Sequence, residues 1–165
     1  MYIDKFKKQF TNSIFLCLAN SFLMEEEPMY ELLACTKQEI ITLEQKLDTS
    51  LPTAYKEFLL WGGHEAGGLL SGSDYSYKNL IEIQVDAVEI LYENCFPQQL
   101  PKDAFIFYMH QGYEFCFFRI SEGQNPPVYL FNENNAQSSF WRNHLSFSNF
   151  LETWLKYQLS MLKNN

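Results

Sequence analysis

Apolar residues recur along this chain with two different periods, and each change of period marks out an element. The strongest helical stripe comes last. Phe147, Phe150, Leu151, Trp154, Leu155, Leu159 and Leu162 fall at i, i+3, i+4, i+7 and i+8 spacing, which predicts an amphipathic helix with one buried face. Gln158 is the only polar residue on that stripe, and Ser146 stands where an N-cap belongs. At the other end, Phe6, Phe10, Ile14 and Leu18 lie four apart and predict a docked helix within residues 1–24. Thr36 and Glu39 have the spacing of a capping box ahead of Ile40, Leu43 and Leu47. A second helix follows at once, with Ser50 as a candidate cap, Pro52 near the first turn and a buried stripe of Tyr55, Phe58 and Leu59. Gly62-Gly63 is expected to end it in a left-handed conformation.

The middle of the chain changes to period two. Short strands are expected at Leu69-Leu70 and at Leu80 to Ile83, then a short helix over residues 84–95 through Val85, Val88 and Tyr92. Ala104 to Met109 and Tyr113 to Ile120 form the clearest strand pair, with Gln111-Gly112 in the turn. Val128 to Phe131 adds a third strand. Phe115 and Phe117 point to one face of their strand and Cys116 and Phe118 to the other, so it belongs in the middle of the sheet. The expected fold class is α+β: an antiparallel sheet of about five or six strands packed with N-terminal and C-terminal helices.

Composition narrows the function. Of 165 residues, 47% are hydrophobic and 17% aromatic, which excludes a disordered chain and allows a core without metal or disulfide staples. Twelve basic against 20 acidic residues leave a net charge of −8. Such a chain repels phosphates, so nucleic acid is an unsuitable partner and a basic protein a suitable one. Cys17, Cys35, Cys95 and Cys116 show no paired spacing and sit among apolar neighbours, as buried, reduced thiols of a cytoplasmic protein do. Lys5, Lys7 and Lys8 ahead of Ile14 to Leu18 imitate a signal peptide, but Asp4 and Asn20-Ser21 break the pattern. The apolar run is also too short for a bilayer. Glu25-Glu26-Glu27-Pro28 interrupts the chain, separating an N-terminal helical extension over residues 1–35 from a main domain over residues 36–165.

Catalytic patterns are missing. His64-Glu65 lacks the second histidine of a zinc helix, and the glycines at 62–68 lack the Lys-Ser/Thr of a phosphate loop. His110 with Cys116 would place the thiol in mid-strand among phenylalanines, where it is unreactive. No catalytic residue, metal ligand or cofactor is therefore expected, and the chain is read as a binding protein rather than an enzyme. Two stretches offer exposed polar and aromatic side chains. One carries Glu65, Asp74, Tyr75 and Tyr77 on a Gly- and Ser-rich loop that would mould to a partner. The other carries Glu82, Asp86, Glu89 and Glu93, of which the last three share a helix face.

Residues 39–63 add a pattern of another kind. Ile40 to Glu44, then Leu51-Pro52, Tyr55, Phe58-Leu59 and Gly62-Gly63, followed by Leu100-Pro101, Pro127-Val128-Tyr129 and Ser146-Phe147 with Phe150-Leu151, resemble the motifs of the SUKH superfamily. These are the cell-wall-assembly and glucan-synthesis-regulator-like domains. The resemblance spans roughly residues 36–162 and leaves residues 1–35 without a counterpart. It implies helices on an antiparallel sheet and function by binding. Bacterial relatives of this type are immunity proteins that neutralise nuclease- or deaminase-like toxins, and fungal relatives regulate cell-wall synthesis. The expected partner is accordingly a basic toxin domain, with a regulatory scaffold as the alternative.

Overall fold

In a computed structural model of the chain, which describes residues 1–21, 31–134 and 139–162, the capping box forms as its spacing requires. Thr36 Oγ1 accepts from the Glu39 N–H at 3.2 Å, and Glu39 Oε2 accepts from the Thr36 N–H at 2.7 Å. They open helix α2 (Lys37–Lys46), and Asp48, at a φ of 46°, turns the chain toward α3 (Thr53–Gly62). Ser50 does not cap α3. The N-cap is Pro52, and the free N–H groups of Thr53 and Ala54 are taken by the side chain and carbonyl of Gln124, at 3.0 and 2.9 Å. Nor does α3 end left-handed: Gly63 has a φ of −71°. Its glycine is needed for space, since a Cβ there would lie 2.5 Å from Cys35 Sγ.

The main sheet is antiparallel and runs β3 (Ala104–His110), β4 (Glu114–Arg119), β5 (Val128–Asn132), β6 (Trp141–His144) in that order. β4 is interior, as its two apolar faces demand. Gln111 and Gly112, at φ 46° and 73°, make the tight turn, and Tyr113 N–H returns to His110 O. A second sheet pairs β1 (Leu32–Leu33) with β2 (Glu65–Ala66). Leu69 and Leu70 are buried in a turn rather than a strand, and Leu80 to Ile83 lead into α4 (Glu82–Glu93). Four residues of alternation fit one helical turn as well as a strand.

One face of the sheet is covered by α3 and by α5 (Phe147–Leu162). Tyr55 meets Phe118 and Phe147 at ring separations of 5.3 Å, and Phe107 meets Phe150 at 5.0 Å. Phe96 and Phe140 close the other face against Phe131 and Phe117. Ser146 Oγ accepts from the Asn149 N–H and starts α5. Phe147, Phe150, Leu151 and Leu155 are buried, whereas Trp154 is only partly so, because it stands at the rim of the sheet. Helix α1 (Asp4–Ser21) joins the same core: Phe6 and Phe10 set their edges against Trp61 at 5.0 and 4.8 Å. The side chains of Ile14, Cys17, Leu18 and Leu162, and the break at residues 25–28, lie outside what is described.

β3 contains a bulge. Ile106 pairs with Phe117 and Tyr108 with Cys116, so Phe107 is the extra residue. Tyr108 and His110 thereby turn to the helix-covered face. The outer edge of β3 is closed twice. Asp74 and Met109 exchange backbone bonds at 2.8 and 2.9 Å, and the Gln84 amide bonds the Ile106 N–H and carbonyl at 2.9 and 2.7 Å. An otherwise bare strand edge is thus satisfied. Cys35 and Cys116 are buried as expected; Cys95 is exposed, because it ends α4 at a φ of 48°. No helix among the described residues is long and apolar enough to cross a membrane.

Candidate functional site

The loop expected to mould to a partner is tied down. Tyr75 is 4% exposed, and its hydroxyl accepts from the Ala66 N–H at 3.0 Å and donates to Glu65 Oε1 at 3.1 Å. The same oxygen of Glu65 accepts from the Gly68 N–H at 3.2 Å. Tyr75 is a packed residue and Glu65 a turn clamp, which corrects the expectation of an adaptable surface there. Burial pushes the Tyr75 phenol up to about 12. Asp74 is exposed and accepts from Asn79 Nδ2. Tyr77 is half-buried, with its hydroxyl donating to the Glu39 carbonyl at 3.2 Å.

Helix α4 presents the other candidates differently from expectation. Its buried side is Ile83, Ala87, Ile90 and Leu91. Val85, Val88 and Tyr92, expected inside, face outward with Ile81, at 40–85% exposure. Both sets are apolar at i, i+4, i+7 spacing, so periodicity alone does not choose between them. The choice falls to Gln84, whose amide must reach the β3 edge. Successive helix positions advance by 100°. On that count Ile81, Tyr92, Val85 and Val88 form one stripe, and Glu82, Asp86, Glu89 and Glu93 run directly beside it. Glu82, Glu89 and Glu93 are exposed and Asp86 is half-buried.

A second surface was not foreseen. Between α5 and the sheet, Tyr108, His110, Glu114, His144, Trp154 and Tyr157 line an open groove of about 440 Å³. Trp154 meets Tyr108 at 5.5 Å and Tyr157 at 5.8 Å. His110 Nδ1 lies 2.8 Å from Ser73 Oγ. Burial holds His144 below the ordinary histidine value, against a hydrogen bond with Asn149 that raises it. The β3 bulge builds this groove, and a one-residue slip leaves no pattern in the sequence.

A third grouping joins residues far apart in the chain. The Cys35 thiol, the Glu39 carboxylate and a His64 ring nitrogen place ligand-type atoms within 4.8 Å of one another. His64 Nε2 lies 3.0 Å from Glu39 Oε1. Backbone bonds hold the two chain segments together: Cys35 N–H to Leu59 O at 2.8 Å and His64 N–H to Leu33 O at 2.9 Å. Tyr77 sets its ring edge toward the imidazole, 5.5 Å away. Burial pushes the Cys35 thiol up to about 12, and the Glu39 charge adds to the effect. His64, which lacks the second histidine of a zinc helix, is part of a cluster of another kind. Cys35 and Glu39 lie four residues apart, but the third member is 25 residues from Glu39 and is brought beside them by β1 and α3, so no compact spacing marks the group in the sequence.

Ser73 Oγ lies within hydrogen-bond reach of His110 Nδ1, but among the described residues no third group is hydrogen-bonded to that imidazole to orient it as a base. Cys116 is fully buried and pushed well above the usual thiol range, so it has no thiolate to offer. A search of curated proteins found no match to this chain. The sequence profile of the SMI1/KNR4 family (SUKH-1) matches residues 34–153, beginning just before α2 and ending within α5. That span holds the four-stranded sheet, α2 to α4 and the Gln84 clasp, and the chain belongs to the SMI1/KNR4 (SUKH-1) family.

Proposed function

We propose that this chain is a non-catalytic immunity protein of the cytoplasm that binds a basic toxin domain, nuclease- or deaminase-like, and blocks it through the outer face of α4. The observation that carries the reading is the apolar stripe of Ile81, Val85, Val88 and Tyr92 with four carboxylates along its side. Exposed apolar side chains in a row mark an interface rather than plain solvation. The carboxylates select a positively charged partner and speed its approach, as a decoy for a nucleic-acid enzyme requires. Residues 36–165 carry the binding, and the extension at 1–35 completes the core beneath it. Asp74 and Tyr77, on the loop that leads into α4, are secondary contacts in this reading.

Co-expression with a panel of basic nuclease- and deaminase-type toxin domains tests this. Wild-type chain is expected to rescue growth, and Val85→Asp with Val88→Asp to lose rescue while staying folded. Asp86→Lys with Glu89→Lys is expected to slow association and weaken its salt dependence. Rescue untouched by either pair removes α4 from the interface. Failure of the wild-type chain against every such toxin favours the second reading, a regulatory scaffold taking a peptide in the aromatic groove under α5. That reading is supported by the groove's rings and by its single carboxylate, Glu114, which suit a cationic side chain.

A further inference from the structure

We propose that Cys35, Glu39 and His64 form a zinc site with one position open to water, independent of the toxin-binding reading. The donor set is the first argument. A thiolate, an imidazole nitrogen and a carboxylate oxygen are the ligands zinc takes, and softer sulfur and nitrogen donors disfavour magnesium and calcium. Three protein ligands with a free fourth position is an established zinc arrangement. Together the thiolate and the carboxylate supply two negative charges, which neutralise one Zn²⁺ in a partly buried place.

Geometry is the second argument. The three donor atoms already lie within 4.8 Å of each other, before any ion draws them in. Zinc bond lengths put tetrahedral donors about 3.5 Å apart, a closure that side-chain rotation supplies. The backbone needs no movement, because Cys35 and His64 are pinned by their bonds to Leu59 and Leu33. Gly63 is the residue that lets Cys35 Sγ stand so close to the chain before His64. The side chains of Glu39 and His64 are about one-third exposed, 32% and 35%, so an ion and its water enter from that side.

The third argument is the support around the ligands. Glu39 uses Oε2 for the capping box with Thr36 and turns Oε1 toward His64. The capping box fixes the carboxylate while leaving the other oxygen for the ion. Tyr77 bonds the Glu39 carbonyl and faces the imidazole edge-on, holding it in place. Such outer partners orient ligands in zinc proteins. On binding, the Cys35 S–H bond breaks, a zinc–sulfur bond forms and the proton leaves to solvent. His64 coordinates through the Nε2 lone pair, replacing its contact with Glu39. No electron changes hands.

The experiment is a cobalt titration of the chelator-treated, full-length protein. One equivalent of Co²⁺ is expected to bind with a thiolate-to-cobalt charge-transfer band and the strong visible bands of four-coordinate cobalt. One equivalent of Zn²⁺ is expected to bleach both. Cys35→Ser should remove the charge-transfer band, and Cys95→Ser should leave it unchanged. Cys35 is buried, so its variant is paired with His64→Gln, at a half-exposed position. His64→Gln is expected to keep the metal-free melting temperature and to weaken Zn²⁺ at least about 100-fold, since even outer partners are worth 10- to 100-fold. A folded wild-type protein without the charge-transfer band overturns the proposal. So does a band that survives Cys35→Ser, or zinc affinity unchanged in His64→Gln.

Discussion

Helices α4 and α5 both lie against the sheet, yet they use their apolar residues in opposite ways. In α5 one stripe of Phe147, Phe150, Leu151 and Leu155 goes into the core. In α4 two apolar stripes compete, and that of Ile83, Ala87, Ile90 and Leu91 faces inward. The other is left in solvent. A helix with one apolar face spends it on folding, whereas a helix with two has one left for a partner. The difference also explains a polar residue in each. Gln158 of α5 bonds the Gly68 carbonyl of the turn after β2, and Gln84 of α4 clasps the β3 edge. The Gln84 amide satisfies edge backbone of Ile106 that would otherwise be buried without a partner, whereas Gln158 adds a second bond to a carbonyl that already accepts from the Ser71 N–H.

The largest effect should come from the buried side of α5. Phe150→Ala is expected to destabilise by about 3–5 kcal/mol in urea unfolding. Trp154→Ala should cost distinctly less, since that ring is partly open to the groove. Equal losses at the two positions would mean that the groove is closed in solution. Next is Gln84→Ala, which removes both partners of Ile106 and should cost about 2 kcal/mol. A negligible change would show that the inward side of α4 is held by its apolar residues alone.

A smaller effect depends on pH. His144 sets its ring against Phe150 at 5.4 Å and is held below its ordinary value of 6.5 by burial. The unfolded chain therefore binds this proton more readily than the folded one. The stability contribution of the neutral ring is complete above about 6.5 and is lost as pH falls through the lower folded value. Unfolding measured across this range should show that loss in the wild type and not in His144→Gln. The smallest change in stability belongs to the outward stripe: Val85→Ser and Val88→Ser are expected to stay within about 0.5 kcal/mol. A loss as large as that of Phe150→Ala would place those valines in the core after all.

What was visible in the sequence followed from local rules. The capping box, the Gln111-Gly112 turn, the interior strand and the α5 stripe each depend on residues within one element, and each formed. The departures share a different cause. Ser50 lost its capping role to Gln124, which is distant in the chain. Tyr75 went inside because Ala66 and Glu65 needed its hydroxyl. β6 lacks a strong pattern of its own and exists by pairing with β5. The groove and the Cys35–Glu39–His64 cluster depend on contacts across 25 or more residues, which no spacing rule records.

The bulge at Phe107 has a consequence for how such a domain diversifies. Sheet faces alternate, so a substitution changes one side chain on one side. An extra residue in β3 would by itself carry every later position to the opposite side, but the bulge absorbs it and keeps Tyr108 opposite Cys116. Two rings, Phe107 and Tyr108, then lie next to each other beneath Phe150. Removing Phe107 would let Tyr108 follow Ile106 directly, still opposite Cys116 and under α5, so Tyr108 and His110 would keep their side and only the second ring would be lost. The bulge thus sets a second ring on the helix side of β3 without disturbing the strand's later positions, so a chain of this family can gain or lose that ring by one residue and keep its groove.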